Sequence, residues 1–283
     1  MEKIKAVFDS IGTPVLTIVF LTLFVMEGRR QLRKRVQSRW HRVFMNFIVS
    51  LPAFTLLRLL LIPAMVWLAA QNENWHFGLN YLYHLPSWLE ATIAFVILDY
   101  TNYVWHWLNH KIPLLWRFHL VHHTDMDLDV ATAIRFHFGE IIGSVFFRGA
   151  AVMLVGASPL LVLVYEIVFE ACTQFHHSNI KLPVSVEKTL NMLMVTPRMH
   201  GIHHSVVHSE TDSNYSVIFS CWDRIHCTMR LRIPQQEVVI GVPMYSNPKE
   251  LTIGFLLKLP FTKIRKWKTE VPEEHSGKEK VWY

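Results

Sequence analysis

The chain alternates between long apolar runs and shorter polar stretches. The apolar runs cover residues 11–26, 43–70, 88–108 and 141–175. A helix needs about 20 mainly apolar residues to cross the hydrocarbon of a bilayer, and shorter helices can enter and leave it from one side. The pattern therefore predicts an all-α integral membrane protein with about four transmembrane or re-entrant helical segments.

Two of these runs are interrupted. Arg58, Pro52 and Pro63 fall within 43–70, whose length allows either one long kinked span or a helical hairpin. The charge of Arg58 needs a partner, because a bare charge in hydrocarbon is costly. Run 141–175 is broken by Gly-Ala-Ser-Pro at 156–159, which predicts an apolar hairpin of two short helices.

The polar stretches between the runs suggest an orientation. Residues 29–42 are basic, and by the positive-inside rule they should be cytoplasmic. Residues 111–140 and 180–227 are too polar to cross a bilayer and are rich in histidine. We expect them to form a histidine-rich helical cap on the same, cytosolic side, which requires an even number of crossings in between.

We interpret the chain as a single membrane-embedded domain, 1–283, with three regions. Residues 11–98 are mainly membrane-spanning helices, 99–230 carry the histidines and the hairpin 141–175, and 231–283 form an interfacial or soluble tail. A cleavable signal peptide is not expected, because no small-residue cleavage site follows the first apolar run.

Composition supports the membrane class. Hydrophobic residues make up 51% of the chain and charged residues 18%, against about 25% charged in soluble domains. The net charge of +6 is concentrated in short segments, which argues against nucleic-acid binding. The 3 cysteines have no framework spacing, so a disulfide scaffold is not expected.

Thirteen of the 17 histidines lie between positions 106 and 226. Neutral imidazole is the commonest metal-binding side chain, and residues i, i+3 and i+4 share one face of a helix. Three sets have this spacing: His106 and His110; His119, His122 and His123; His200, His203 and His204. Eight imidazoles exceed the needs of one four-coordinate ion, so two metal ions are the simplest interpretation. Further candidate ligands are His137, His176 and His177.

Several polar residues near these histidines are candidates for orienting the ligands. Glu140 follows His137 by three and is a candidate acceptor for a hydrogen bond from that imidazole. Asp99 lies two turns before His106 and is expected to orient His106 or His110. Three more candidates follow the last cluster, namely Asp212, Asn214 and Asp223, and the alternative for every one of these residues is a helix cap or a surface charge.

The ordered set of H-x-x-x-H at 106–110 and H-x-x-H-H at 119–123 and 200–204 resembles the fatty acid hydroxylase (sterol desaturase) superfamily. The framing segments RFHFGE, HHSN, DSNYS and WDR strengthen the resemblance, which covers residues 98–228. It implies a membrane-embedded helical fold with a cytosol-facing centre of two iron ions, which zinc can replace in a purified form. It also implies that His176 or His177 supplies a further ligand.

The same resemblance implies activation of O2 to hydroxylate or desaturate a lipid in the bilayer, and hydroxylation is the preferred outcome. The lipid would be a fatty acyl, sterol or isoprenoid chain. The sequence has no cytochrome-b5-like haem-binding segment. Electrons are therefore expected from a separate reductase, ferredoxin or cytochrome.

Two other classes of function stay open at this stage. A membrane zinc hydrolase acting on lipids would use the same imidazoles to activate water, although a catalytic zinc usually has three protein ligands. The other class is a metal transporter or a non-catalytic membrane protein. A transporter would carry its site near the bilayer midplane, whereas these clusters lie at the ends of apolar runs.

Overall fold

The computed structural model describes residues 8–83 and 85–267. Within these residues the fold is all-α, as predicted, with isolated β-bridges and no β-strand. The α-helices are α1 (Thr13–Arg29), α2 (Arg39–Leu56), α3 (Ile62–Trp75), α4 (Ser87–Lys111), α5 (Pro113–His123), α6 (Phe138–Val155), α7 (Pro159–His177), α8 (Val184–Asn191), α9 (Pro197–His203), α10 (His208–Thr211), α11 (Cys221–Ile225) and α12 (Ile253–Lys258).

Among the described residues, three helical segments are long and apolar enough to cross a membrane: 9–29, 39–81 and 138–155. The second joins α2 to α3 through a π-helical turn, Leu57–Leu61, without an intervening loop. Run 43–70 is thus one long helical segment rather than a hairpin. The guanidinium of Arg58 forms an ion pair with Asp9 at the start of the first segment, which supplies the partner that this charge needs.

Helices α6 and α7 form the predicted hairpin. Gly156 ends α6 in the left-handed conformation, with φ of 75°, and the side chain of Ser158 caps α7 by accepting from the amide of Leu161. Val152 of α6 and Val162 of α7 are fully buried in an apolar core that α3 and α4 complete. This antiparallel packing brings the start of α6 and the end of α7 to the same end of the bundle.

Part of the basic segment 29–42 lies inside the protein. Arg42 is 2% exposed, and it donates to Asp125 at 2.7 and 2.8 Å and to Asp129 at 2.5 Å. Arg33 is also buried, and Arg39 pairs with the buried Glu27 at 2.9 Å. Arg39 and Arg42 are thus paired with protein carboxylates, and Arg33 donates to the carbonyl of Pro197 and the amide oxygen of Gln235, so these three side chains are held by the protein itself.

The described part of the tail packs on the helices. Leu256 and Leu259 are fully buried in a second apolar cluster that includes Val49 of α2 and Leu120 of α5. This contact fixes the outer side of α5, the helix that carries the first H-x-x-H-H motif. Residues 268–283 of the predicted tail lie outside the described residues.

Candidate metal centre

Four helices bring nine of the predicted histidines together in two groups. In each group, one possible ligand atom per residue lies within 4.8 Å of all the others. The first group consists of His106, His110, His119, His123 and His203, and the second consists of His122, His177, His200 and His204. The histidines from the end of α4 and those from α5 lie side by side, since the ring centroids of His106 and His119 are 5.1 Å apart.

The H-x-x-H-H motifs divide between the two groups in opposite ways. On α5, His119 and His123 are four residues apart and face the first group, while His122 faces the second. At α9, His200 and His204 face the second group, while His203 faces the first. Each motif thus links both groups, which explains why three histidines are needed where a single site would use two.

The ring nitrogens approach one another at distances typical of ligands on one ion. The Nε2 atoms of His177 and His122, and those of His177 and His200, are 3.0 Å apart, and those of His200 and His204 are 3.1 Å apart. Metal–nitrogen bonds of 2.0–2.1 Å place neighbouring ligand atoms about 3.0–3.4 Å apart. The second group therefore has the dimensions of a metal site.

Backbone carbonyls fix the orientation of several rings. The Nδ1–H of His106 donates to the carbonyl of Tyr215 at 2.8 Å. His177 donates in the same way to Thr173, and His203 to Ser213, both at 2.7 Å. Because each Nδ1 carries the proton, the lone pair of each Nε2 points towards the interior of its group.

Burial keeps these imidazoles neutral. It lowers the pKa of His177 to about 3 and lowers the pKa of His200, His203 and His204 well below the ordinary value. The buried Nε2 atoms of His110 and His203 have no hydrogen-bond partner among the described residues. An unpaired buried nitrogen is costly, and coordination of a metal removes that cost, so the residues fit bound metal ions.

Glu140 contacts a different histidine from the predicted one. Its carboxylate accepts a hydrogen bond from Nδ1 of His119 at 3.1 Å, so it orients a member of the first group. His137 instead caps α6, accepting from the amide of Gly139 and donating to the carbonyl of Leu257. The candidate pairing of Glu140 with His137 is not formed, because the ring of His137 is bonded through both nitrogens to other partners, and His137 lies outside both groups.

Asp99 also has other partners than expected. It accepts hydrogen bonds from the amides of Ile218 and Phe219 and from the indole of Trp222, at 3.3, 3.1 and 2.7 Å. Seven residues of helix separate Asp99 from His106, about 10 Å along the axis, which is too far for a hydrogen bond. Asp99 therefore anchors the segment 218–222 to α4 and does not orient His106 or His110.

Asn214 and Asp223 shape the loop behind the first group. Asp223 accepts from the amides of Tyr215 and Ser216, both at 2.9 Å, and Asn214 donates to the carbonyl of Met199 at 2.9 Å. Neither is among the grouped ligand atoms. They act on the histidines indirectly, because the carbonyl of Tyr215 is the acceptor for His106. These backbone acceptors carry no signal in the sequence.

His176 lies beside the second group without being a member of it. Its ring centroid is 4.2 Å from that of His200, and it contributes to the wall of a cavity next to the histidines. The cavity has an empty volume of about 870 Å³, counting the part that is open, and its apolar walls include Phe54, Trp105 and Phe169. These walls come from α2, α4 and α7, so the cavity was not predicted from sequence.

Comparisons with known proteins identify a family whose sequences match the part of the chain that forms this site. Residues 91–228 match the fatty acid hydroxylase family. No solved structure matches the chain.

Similar proteins include ornithine lipid hydroxylase OlsE of Rhizobium tropici, with 29% identity over 66% of this chain and 54% of that protein. Human cholesterol 25-hydroxylase is 30% identical over 48% of this chain and 49% of its own length. Alkylglycerol monooxygenase of Danio rerio is 30% identical over 80% of this chain and 49% of its own length.

The chain thus spans about half the length of the curated relatives it matches. The matched residues contain all nine grouped histidines and the contacts by which Asp99 of α4 holds the segment 218–222. Residues 91–228, nearly half of the chain, thus match the fatty acid hydroxylase family, and the resemblance drawn from the histidine motifs is confirmed.

Proposed function

We propose that this protein is an O2-dependent, non-haem di-iron oxidoreductase that hydroxylates a C–H bond of a membrane lipid. The substrate would present a fatty acyl, sterol or isoprenoid chain. One observation carries the proposal: two adjoining groups of largely buried imidazoles lie at a cavity with apolar walls, in a protein whose helices are long and apolar enough to span a membrane. Such a pocket with converging polar groups is the usual form of an active site.

The first group offers five imidazoles and the second offers four, so each would hold one ion. Imidazole suits iron as well as zinc. Of the adjacent pair His176 and His177, we assign His177 as the ligand, because its Nε2 lies 3.0 Å from two other members of the second group. Two bound iron ions would supply the activation of O2.

The residues of the chain would align the lipid and keep water out. His106, His119, His122, His177 and His200 line the cavity together with its apolar walls. A lipid chain between Phe54 and Phe169 would lie with one C–H bond next to these rings. Fixed placement selects the carbon, and exclusion of water protects the reaction from side products.

The names of the relatives favour hydroxylation. An ornithine lipid, cholesterol and an alkylglycerol all combine a long apolar part with a polar group, and the relatives are named hydroxylases or monooxygenases. Desaturation is the second candidate, because it would use the same metal centre and differ only in how the lipid is placed. A zinc hydrolase is disfavoured, since five and four imidazoles exceed the three protein ligands usual for catalytic zinc.

The reaction also needs O2 and electrons from a separate donor protein, which we propose to be a reductase, ferredoxin or cytochrome. We propose that the active site lies on the cytoplasmic side of the membrane, the side predicted for the histidine-rich polar stretches 111–140 and 180–227.

The proposal is tested by metal content and O2 uptake. Full-length protein purified under reducing conditions and reconstituted with iron should bind two irons and consume O2 when lipid extract is added. His203→Ala should abolish this uptake. His208→Ala, which changes an exposed histidine outside both groups, should leave it intact. Zinc alone, with no O2 uptake after iron reconstitution, would contradict the oxygenase proposal.

A further inference from the structure

The apolar hairpin carries charged residues that the metal centre does not use. Arg148 of α6 and Glu170 of α7 both line the cavity next to the histidines. Arg148 lies in a segment able to span the membrane, where a charged residue is costly and is usually functional. These two residues therefore require an explanation beyond packing.

Arg148 is only partly satisfied by the protein. It is 6% exposed, its Nη2 forms an ion pair with Glu166, and its guanidinium lies 4.8 Å from the ring centroid of Phe169. Its buried Nε has no hydrogen-bond partner among the described residues. A donor left free in the wall of a cavity is available to a ligand.

The helices fix how far this polar pair lies from the histidines. Glu140, which contacts His119, precedes Arg148 by eight residues on α6, or about 12 Å along the axis. Glu170 precedes His177 by seven residues on α7, or about 10 Å. The cavity therefore has histidines at one end and the pair Arg148 and Glu170 about 10–12 Å away.

The charges around Arg148 and Glu170 indicate which kind of polar group they would bind. One guanidinium is paired with Glu166 and lies within electrostatic reach of Glu170, so the site offers no excess positive charge to a free fatty acid anion. It offers a donor from Arg148 and an acceptor from Glu170. A neutral group that both accepts and donates, such as a hydroxyl or an amide N–H with its carbonyl, matches both.

We propose that Arg148 and Glu170 form a polar subsite for a neutral hydroxyl or amide group of the lipid substrate. This inference rests on the proposed function. The subsite would hold the polar group at one end of the cavity and so determine which carbon, about 10–12 Å away, lies next to the histidines. Glu170 and Arg148 are thus specificity-determining residues.

The test compares ligands that differ only at the polar group. Full-length, metal-loaded protein in lipid nanodiscs is titrated with hexadecanol and with methyl hexadecyl ether, and with hexadecanamide and its N,N-dimethyl derivative. Binding is measured from the ligand-dependent rise in Tm, and turnover is measured separately by mass spectrometry. The wild type should prefer the alcohol, the amide or both over the blocked partner by about tenfold, as expected for hydrogen bonds to charged groups.

Glu170→Gln keeps the size of the side chain and should reduce this preference severalfold, with products hydroxylated at several carbons. Glu90→Gln changes a carboxyl group that does not line the cavity and should retain the wild-type preference. The wild-type comparison alone still tests the subsite if Glu170→Gln fails to fold. The pair of ligands that shows the larger preference, alcohol over ether or amide over dimethylamide, identifies which polar group the subsite binds.

Three outcomes would each overturn the subsite. The first is that the wild type binds the alcohol and the amide no more tightly than their methylated derivatives. The second is tighter binding of palmitate than of hexadecanol, and the third is an unchanged preference in folded Glu170→Gln. Binding with the expected preference but without oxygenated product would support the subsite and count against the proposed function. Hydroxylation of lipids without any preference for the unmethylated ligands would support the proposed function and count against the subsite.

Discussion

The Nε2 atoms of His122 and His177, 55 residues apart in sequence, lie 3.0 Å from each other. His123, the neighbour of His122 in the chain, belongs to the other group of imidazoles. Adjacent residues on one helical turn therefore contribute to two different sites, and α5 acts as a rigid connection between them. A substitution that displaces α5 should therefore weaken metal binding at both sites.

Because the two groups share no histidine, a substitution in one group should remove the metal ion of that group alone. His177→Ala changes only the second group and should reduce the bound iron from two ions to about one per chain, because the first group keeps its five imidazoles. His110→Ala should do the same at the first group. Iron per chain, measured by mass spectrometry after desalting, checks both variants, and His208→Ala is the control. Loss of no metal in either variant would contradict the assignment of the ligands.

Glu140→Gln should weaken metal binding at the first group without removing a ligand. The carboxylate accepts from Nδ1 of His119 at 3.1 Å, and loss of such partners typically costs 10- to 100-fold in metal affinity or activity. The affinity of the weaker iron, measured by competition with a chelator, checks this prediction. Glu90→Gln should have wild-type affinity, and equal affinities in both variants would show that Glu140 has no orienting role.

The histidine spacing places eight of the nine grouped histidines on shared helix faces, because i, i+3 and i+4 positions lie close together on a helix. Spacing alone does not show how each motif divides between the two groups. The partners of Asp99 and Glu140 were not predictable in this way. Asp99 bonds to residues about 120 positions later, and Glu140 bonds to a histidine 21 residues earlier, so both contacts depend on how helices pack. The buried network of Arg42 was missed for the same reason, since a basic run near a membrane is ordinarily exposed.

Asp99→Asn should destabilise the fold and leave the metal count unchanged. The carboxylate accepts from three N–H groups, and an asparagine would turn its own NH2 donor towards at least one of them. A loss of about 1–3 kcal/mol is expected for such an unsatisfied buried group. Thermal unfolding in detergent measures it. An unchanged Tm, or loss of an iron ion, would contradict the anchoring role of Asp99.

The metal-free protein should lose stability in mild acid. The pKa of His177 is about 3 in the folded chain, against about 6.5 when unfolded, so between these values the unfolded state binds more protons. The stability from keeping this ring neutral is complete above about pH 6.5 and declines as the pH falls towards 3. The pKa values of His200, His203 and His204 are lowered in the same direction and add to the effect.

The Tm of the metal-free protein should therefore fall between about pH 7 and about pH 5. His177→Gln should show a shallower fall than the wild type, because it removes one of the titrating groups. His208→Ala should follow the wild-type curve, since that side chain is 62% exposed. A Tm that does not change over this range would contradict the burial of neutral imidazoles.

The most direct test of lipid hydroxylation is comparative lipid mass spectrometry under isotopically labelled O2. Membranes expressing the wild type or His122→Ala are compared at matched protein levels. The account predicts one lipid class in the wild-type membranes that carries a single labelled oxygen and is missing from the variant. A lipid that instead loses two hydrogens would indicate desaturation by the same centre. Identical lipids in the two membranes, with both proteins folded, would contradict the central claim.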